Sequence, residues 1–149
     1  VILDEPTAGL DPEERVRFHN LLAEIGENVI VILSTHIVSD VSDLCGRMAI
    51  IDRGTILQEA EPLRAIEGLR GRIWRRIVDR GAAPEIEGGH PVISTRMLAG
   101  RTVQHVHSED RPDPDFQPVE PTLEDVYFTA MAGLHDVAAV TVVETEVLS

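Results

Sequence analysis

The fold of this protein is decided by residues 1–12, which read VILDEPTAGLDP. Residues 1–3 form an apolar and mostly β-branched run, and two carboxylates, Asp4 and Glu5, follow that run directly. Such a run is typical of a buried strand in a parallel sheet. Because the ligands of open α/β sheets bind where the strands end, Asp4 and Glu5 are candidates for binding or catalysis.

A capped helix and a second strand follow this stretch. Asp11 has the position of an N-cap acid, Pro12 is suited to the first helical position, and Gly26 predicts the end of the helix. Residues 29–33, which read VIVIL, predict another buried strand. His36 comes just past the end of that strand, where it could reach the same edge of the sheet as the two acids.

The rest of the pattern predicts two units. A hairpin about Arg53 and Gly54 completes an α/β layer pattern, so we predict that residues 1–67 form one α/β unit, a parallel sheet with flanking helices. Residues 68–149 are predicted to form a small β-rich (α+β) tail domain. Its predicted elements are a strand at 72–78, a hairpin at 91–107, an irregular proline-rich linker at 111–121, a capped helix from Thr122 and an added strand at 137–148.

The composition of the chain, meaning its charge, its apolar runs and its cysteine and lysine content, excludes several classes of protein. The net charge of −13 argues against non-specific binding to nucleic acid, because that binding depends on basic side chains that neutralise phosphates. No run approaches 18 consecutive apolar residues, so we expect no membrane span. The single cysteine, Cys45, excludes a disulfide framework. All 13 basic residues are arginine, and a chain without lysine cannot contain the G-x-x-x-x-G-K-S/T loop that cradles nucleotide phosphates.

Three residues match what the hydrolysis of a nucleotide phosphate needs. A carboxylate must steady Mg²⁺ against the phosphate oxygens, and Asp4 suits that task. A second acid must orient and deprotonate the attacking water, and Glu5 suits that one. An imidazole can donate a hydrogen bond to a phosphate oxygen near neutral pH, which His36 is placed to do.

Three segments also carry a resemblance to a known family, the ABC ATPases. Residues 1–12 resemble the Walker B and D-loop segment of that family, and residues 34–36, Ser-Thr-His, resemble its switch-histidine loop. Residues 53–56 resemble the hairpin that follows, so the resemblance extends from residue 1 to about residue 60. It implies the C-terminal part of a P-loop-type nucleotide-binding domain, beginning at Walker B and lacking the phosphate-binding loop and the signature motif.

The resemblance implies a role for each candidate residue. Asp4 would hold Mg²⁺ through water, Glu5 would be the catalytic base, and His36 would contact the γ-phosphate of ATP. Asp11, counted with Asp4 among the residues that bind the nucleotide, would lie at the interface of a head-to-tail dimer with a second ATPase subunit. The chain by itself would be an inactive piece of an ATP hydrolase.

A further resemblance lies in the tail and points to export. Residues 121–128, which read PTLEDVYF, resemble a C-terminal element common in the ATPase subunits of multidrug, antibiotic and polysaccharide exporters. This resemblance implies an energy-coupling subunit that binds transmembrane permease subunits. Such a subunit would be cytoplasmic and peripheral, at the inner face of the cell membrane.

Other functions remain open at this point. A non-transport ABC-type ATPase of DNA repair or translation would share the motifs of residues 1–12, although the acidic composition argues against a nucleic-acid partner. A binding or regulatory module without catalysis would fit the missing phosphate-binding loop. In the tail, His105 and His107 share one face of a predicted strand and, with His90, could bind a metal.

Overall fold

The structure is a computed structural model that describes residues 1–79 and 89–134. Helices and strands alternate in the first half of the chain and an antiparallel sheet dominates the second, so the predicted α/β mixture is observed. In chain order the elements are β1 (Ile2–Asp4), α1 (Pro12–Gly26), β2 (Ile32–Ser34), α2 (Val38–Leu44), β3 (Met48–Asp52), β4 (Thr55–Ala60), α3 (Pro62–Gly68), β5 (Ile73–Asp79), β6 (Val92–Leu98), β7 (Arg101–His107), β8 (Gln117–Pro118) and α4 (Leu123–Met131). The strand predicted at residues 137–148 lies outside the described residues.

The strands β1 and β2 pair in parallel, as predicted, with Ile2 opposite Ile32 and Asp4 opposite Ser34. The prediction that these strands are buried is wrong for the described chain. Ile2 is 76% exposed and Ile32 is 57% exposed. Parallel strands are normally covered on both faces by helices, and a sheet of two short strands without those layers leaves its apolar side chains in water.

Helix α1 begins as the sequence predicts. The Oδ1 atom of Asp11 accepts a hydrogen bond from the backbone N–H of Glu14 at 2.8 Å, and Oε2 of Glu14 accepts from the N–H of Asp11 at 3.1 Å. These reciprocal bonds are a capping box, and Pro12 occupies the first turn, where its missing N–H costs nothing. The helix ends at Gly26.

Both predicted hairpins are confirmed. The strands β3 and β4 pair antiparallel about Arg53 and Gly54, whose φ angles are 48° and 77°. The strands β6 and β7 pair about Ala99 and Gly100, with φ angles of 49° and 77°. Two successive left-handed residues give the tight turn whose twist matches that of the flanking strands.

The second half of the chain forms a four-stranded antiparallel sheet in the order β6-β7-β5-β8. The strand β8 corrects the prediction that residues 111–121 have no regular structure. Phe116 is fully buried and lies 5.0 Å below the guanidinium group of Arg76, and this anchor brings residues 117–118 alongside β5. Pro118 can belong to the pairing because β8 is an edge strand.

One hydrophobic core joins the hairpin β3–β4, helices α3 and α4, and the antiparallel sheet. Helix α4 begins with a second capping box, in which Thr122 and Asp125 exchange hydrogen bonds, as the sequence predicts. The helix then lays its apolar face on the sheet. The buried residues of this core are Ile50, Leu69, Ile73, Ile93, Leu123, Val126 and Ala130. The core takes residues from both sides of the domain boundary predicted at 67/68, and that boundary stays a prediction.

Candidate catalytic site

The acid pair lies where β1 ends. The backbone N–H of Glu5 donates to the carbonyl oxygen of Ser34 at 2.8 Å, which extends the parallel ladder one residue beyond the strands. Glu5 itself has a φ angle of 45°, in the left-handed region that few non-glycine residues adopt. Residues held in that region cluster at active sites and ligand clamps. The positive φ angle of Glu5 therefore indicates a functional position independently of its carboxylate.

Glu5 and His36 meet at this edge although 31 positions separate them in sequence. The backbone N–H of His36 donates to Oε1 of Glu5 at 3.0 Å. The Nδ1 atom of His36 lies 2.8 Å from Oε2 of Glu5, which is an ion-pair distance when the imidazole is protonated. The structure therefore brings together a carboxylate and an imidazole at the carboxyl ends of two paired parallel strands, which is where α/β sheets bind ligands.

The carboxylate of Asp4 is exposed at the same strand end. Within residues 1–79 and 89–134 its side chain has no hydrogen bond or ion pair, so it is available to a cation. No group of three or more metal-ligating side chains occurs in the described part of the chain. A lone free carboxylate fits Mg²⁺, which is commonly held by one or two protein carboxylates together with water and phosphate oxygens.

Asp11 is not brought into this group. Its exposed carboxylate accepts the capping hydrogen bond from Glu14, and in the described residues it has no hydrogen bond to Glu5 or His36. One residue can both cap a helix and lie at an interface, so the capping hydrogen bond of Asp11 does not argue against its predicted interface role. That role stays a prediction.

A buried network beside the site escaped the sequence reasoning. The carboxylate of Asp40 is 1% exposed, and its Oδ2 accepts a hydrogen bond from the hydroxyl of the fully buried Thr7. The Nε2 atom of His19 lies 3.2 Å from Oδ1, and Nε of Arg15 lies 4.0 Å from the same oxygen. One feature of the sequence could have predicted this network. An acid stands among the apolar residues of α2, four positions after His36, and a carboxylate that becomes buried there needs donors or cations as partners.

The environment of the single cysteine disfavours its reactive form. Burial raises the pKa of the Cys45 thiol, and the nearby charge of Asp40 raises it further. A thiol with a raised pKa has little of the thiolate form that reacts with electrophiles or binds metals. Cys45 is therefore not among the candidate catalytic residues.

In the tail, His105 pairs with a buried carboxylate. The Nδ1 atom of His105 lies 2.8 Å from Oδ1 of the buried Asp125, the residue that also completes the cap of α4. Burial alone would raise the pKa of Asp125, but hydrogen bonds from His105 and Thr122 outweigh burial and hold that pKa below its usual value. The pair joins α4 to β7, and no metal cluster occurs in the described part of the tail.

Comparison with known proteins places part of this chain among ATP-binding proteins of ABC transporters. No protein-family model matches the chain. The chain is 30% identical over 70 residues to the energy-coupling factor transporter ATP-binding protein EcfA2 of Streptococcus sanguinis. It is 33% identical over 72 residues to the Nod factor export ATP-binding protein I of Neorhizobium galegae. It is 28% identical over 87 residues to the methionine import ATP-binding protein MetN of Bacillus subtilis.

These matches are partial in both directions. They cover 46%, 48% and 57% of this chain, and only 25%, 21% and 26% of the respective relatives. The chain thus spans about a quarter of the length of these three relatives. Over that part it is similar to the ATP-binding proteins of ABC transporters, as residues 1–12 and 34–36 predict.

Proposed function

We propose that this chain is the C-terminal part of the ATP-hydrolysing, energy-coupling subunit of an ABC-type membrane exporter. The observation that carries the proposal is the contact of Glu5 with His36 at the carboxyl ends of two parallel strands. Similarity to ABC transporter ATP-binding proteins supports it from an independent direction. The activity belongs to the whole protein, and the described chain supplies one part of its site.

Each residue of the site has a definite task in this proposal. Bound Mg-ATP supplies the reacting phosphorus and the cation that neutralises phosphate charge. Asp4 presents a free carboxylate to the cation at the rim of the sheet. Glu5 orients the attacking water and takes its proton. His36 holds the carboxylate of Glu5 through its backbone N–H and offers its ring to a phosphate oxygen.

The exposed strands support the proposal that further chain completes the sheet. Ile2 and Ile32 lie uncovered on β1 and β2, whereas parallel strands are normally buried on both faces. A P-loop-type nucleotide-binding domain would cover them with its remaining strands and helices and would supply the lysine of the phosphate-binding loop. The lysine-free sequence of this chain cannot supply that residue.

The export direction and the partners depend on the tail. The names of the relatives include both export and import proteins, so they do not decide the direction. The segment 121–128, which resembles the C-terminal element of exporter subunits, favours export. The proposed partners are a second ATPase subunit in a head-to-tail dimer, with Asp11 at the interface, and transmembrane permease subunits at the cytoplasmic face of the membrane. In residues 1–79 and 89–134 no helix has the length and apolar character needed to cross a bilayer.

A Glu5→Gln variant of the whole protein tests the catalytic assignment. Glutamine keeps the size of the side chain but cannot take a proton, so we expect ATP to bind with unchanged affinity and kcat to fall by about 10²–10⁴. The matched control is Glu24→Gln on the exposed face of α1, which should hydrolyse ATP at the parental rate. Parental turnover in Glu5→Gln would show that Glu5 is not the base.

A further inference from the structure

We propose that Asp40 is a positioning residue for the Glu5–His36 pair. Its buried carboxylate joins the turn that follows Glu5 to the helix that follows His36. The inference deepens the proposed function and rests on it for the catalytic meaning of the pair. The contacts themselves are properties of the described chain.

Two contacts link the same two segments. Glu5 contacts His36, and two residues after Glu5 the hydroxyl of Thr7 donates to Asp40, which lies four residues after His36. The side chain of His36 is 79% exposed, whereas Thr7 and Asp40 are 0% and 1% exposed. Exposed ion pairs contribute little because water and salt screen them, whereas buried hydrogen bonds to a charged group are strong. Beyond the strand pairing, the buried contact therefore holds the turn after Glu5 against α2 more strongly than the contact of Glu5 with His36 does.

Helix α1 is tied to the same carboxylate. His19 approaches Oδ1 of Asp40 to 3.2 Å and Arg15 approaches it to 4.0 Å. A buried carboxylate is costly unless cations or donors compensate it, and these two side chains supply that compensation from one helix. Asp40 therefore connects three segments: the turn after the acid pair, α1 and α2. Among the described residues, no other carboxylate beside Glu5 and His36 connects three segments in this way.

The consequence is a specific kinetic effect. Asp40 is 1% exposed, so it cannot touch a ligand at the surface of the strand edge, and its loss should leave the affinity for ATP unchanged. It should instead loosen the placement of Glu5, and a misplacement of about 1 Å at a catalytic group can cost about 100-fold in rate. We therefore expect lower kcat with unchanged KM for ATP.

The test uses the whole protein and a pair of variants at one position. Thr7→Val keeps the shape of the side chain and removes the hydroxyl, and Thr7→Ser keeps the hydroxyl. We expect kcat to fall about 10-fold or more in Thr7→Val and to be restored in Thr7→Ser, with KM for ATP within about twofold of the parent in both. Asp43→Asn, an exposed carboxylate on the same helix, is the control for charge.

A double-mutant cycle assigns the effect to the contact. Thr7→Val and Asp40→Asn combined should reduce kcat no more than the worse single variant, because both remove the same interaction. Additive losses, or equal kcat in Thr7→Val and Thr7→Ser, would overturn the positioning role. Should Asp40→Asn fail to fold, the comparison at Thr7 still decides the matter.

A readout on the 149-residue chain separates this inference from the proposed function. The amide of His36 donates to Glu5, so its hydrogen exchange reports the contact without any hydrolysis. We expect exchange about fivefold faster or more in Thr7→Val than in Thr7→Ser, since lost hydrogen bonds expose the amide. Equal exchange rates would contradict positioning even if Glu5→Gln abolishes hydrolysis. Faster exchange in Thr7→Val of the 149-residue chain, together with a whole protein that does not hydrolyse ATP, would support positioning and contradict the proposed function.

Discussion

The two halves of this molecule differ in function and in packing: the first half contains the candidate catalytic residues, and the second half contains most of the buried core. The first half carries the acid pair and His36 at the carboxyl ends of two parallel strands whose isoleucines lie in water. The second half carries an antiparallel sheet under α4 with a fully buried core at Ile73 and Val106. Antiparallel strands can be joined by tight turns within a short stretch, whereas parallel strands need crossovers and covering layers. A short chain can therefore complete the second kind of sheet and not the first.

The largest expected effect contrasts one isoleucine from each half. Ile73→Ala removes a fully buried side chain from the central region of the antiparallel sheet and should lower the free energy of unfolding by about 2–5 kcal/mol. Ile2→Ala, on the exposed parallel strand, should change it by no more than about 0.5 kcal/mol. Urea unfolding followed by circular dichroism measures both. Equal losses would remove the contrast between the halves.

The longer protein that we propose sharpens this contrast. If further strands and helices cover β1 and β2 there, Ile2→Ala should become costly in the whole protein while it stays nearly neutral in the 149-residue chain. Thermal unfolding of the whole protein with each variant measures this difference. A neutral Ile2→Ala in both contexts would contradict the proposal that the sheet is completed.

The second effect concerns the acid stability of the tail. The pKa of Asp125 is lower in the folded protein than in an unfolded chain, so folding favours its charged form. The resulting stabilisation is fully present above the unfolded pKa of about 4 and is lost as the pH falls through the lower folded pKa. We expect Asp125→Asn to cost about 1–3 kcal/mol at pH 7, since a buried partner of His105 and Thr122 is changed.

The pH dependence distinguishes this mechanism from a simple packing loss. Unfolding free energies measured from pH 7 to pH 2 should converge for the parent and Asp125→Asn as the carboxylate becomes protonated. Glu124→Gln, which changes the exposed neighbour that pairs with Arg96, should cost at most about 1 kcal/mol. A constant difference between the parent and Asp125→Asn across the whole range would refute the linkage.

The smallest effect tests whether Asp11 does more than cap α1. Asp11→Ala removes the side chain that accepts from Glu14 and should cost about 1 kcal/mol in the described chain. Asp11→Asn should keep that stability, because asparagine caps a helix about as well as aspartate. If Asp11 also lies at a dimer interface, Asp11→Asn should lower ATP hydrolysis in the whole protein. If Asp11→Asn hydrolyses ATP at the parental rate, Asp11 acts only as the N-cap of α1.

Local features of the fold followed from the sequence because they are decided by neighbouring residues. The caps at Asp11 and Thr122 and the tight turns at Arg53 and Ala99 depend on side chains and backbone preferences within four positions. The parallel pairing of β1 with β2 also followed, from two apolar runs separated by a helix. The meeting of Glu5 and His36 was predictable from that pairing, since carboxyl ends of parallel strands share one edge.

Features that depend on distant packing did not follow from the sequence. Helix α3 was not predicted, because its few apolar residues show no clear helical periodicity and only the core around Leu69 defines which face they bury. The strand β8 looked like linker, since its proline content conceals the anchor at Phe116. The bond between Thr7 and Asp40 joins residues 33 positions apart, and no local pattern selects that pair among the polar residues of the turn and helix.

By itself, the sequence determined most of the element types, the caps, the turns and the identity of the candidate acids, because local dihedral preferences and side-chain spacing decide those. Only the tertiary structure decided which strands are covered and which buried carboxylate connects the site to α1 and α2. Burial is a property of the whole packed set of elements. A β-branched run such as residues 1–3 has the same pattern whether or not its covering layers are present, so its exposure can be read only from the folded chain.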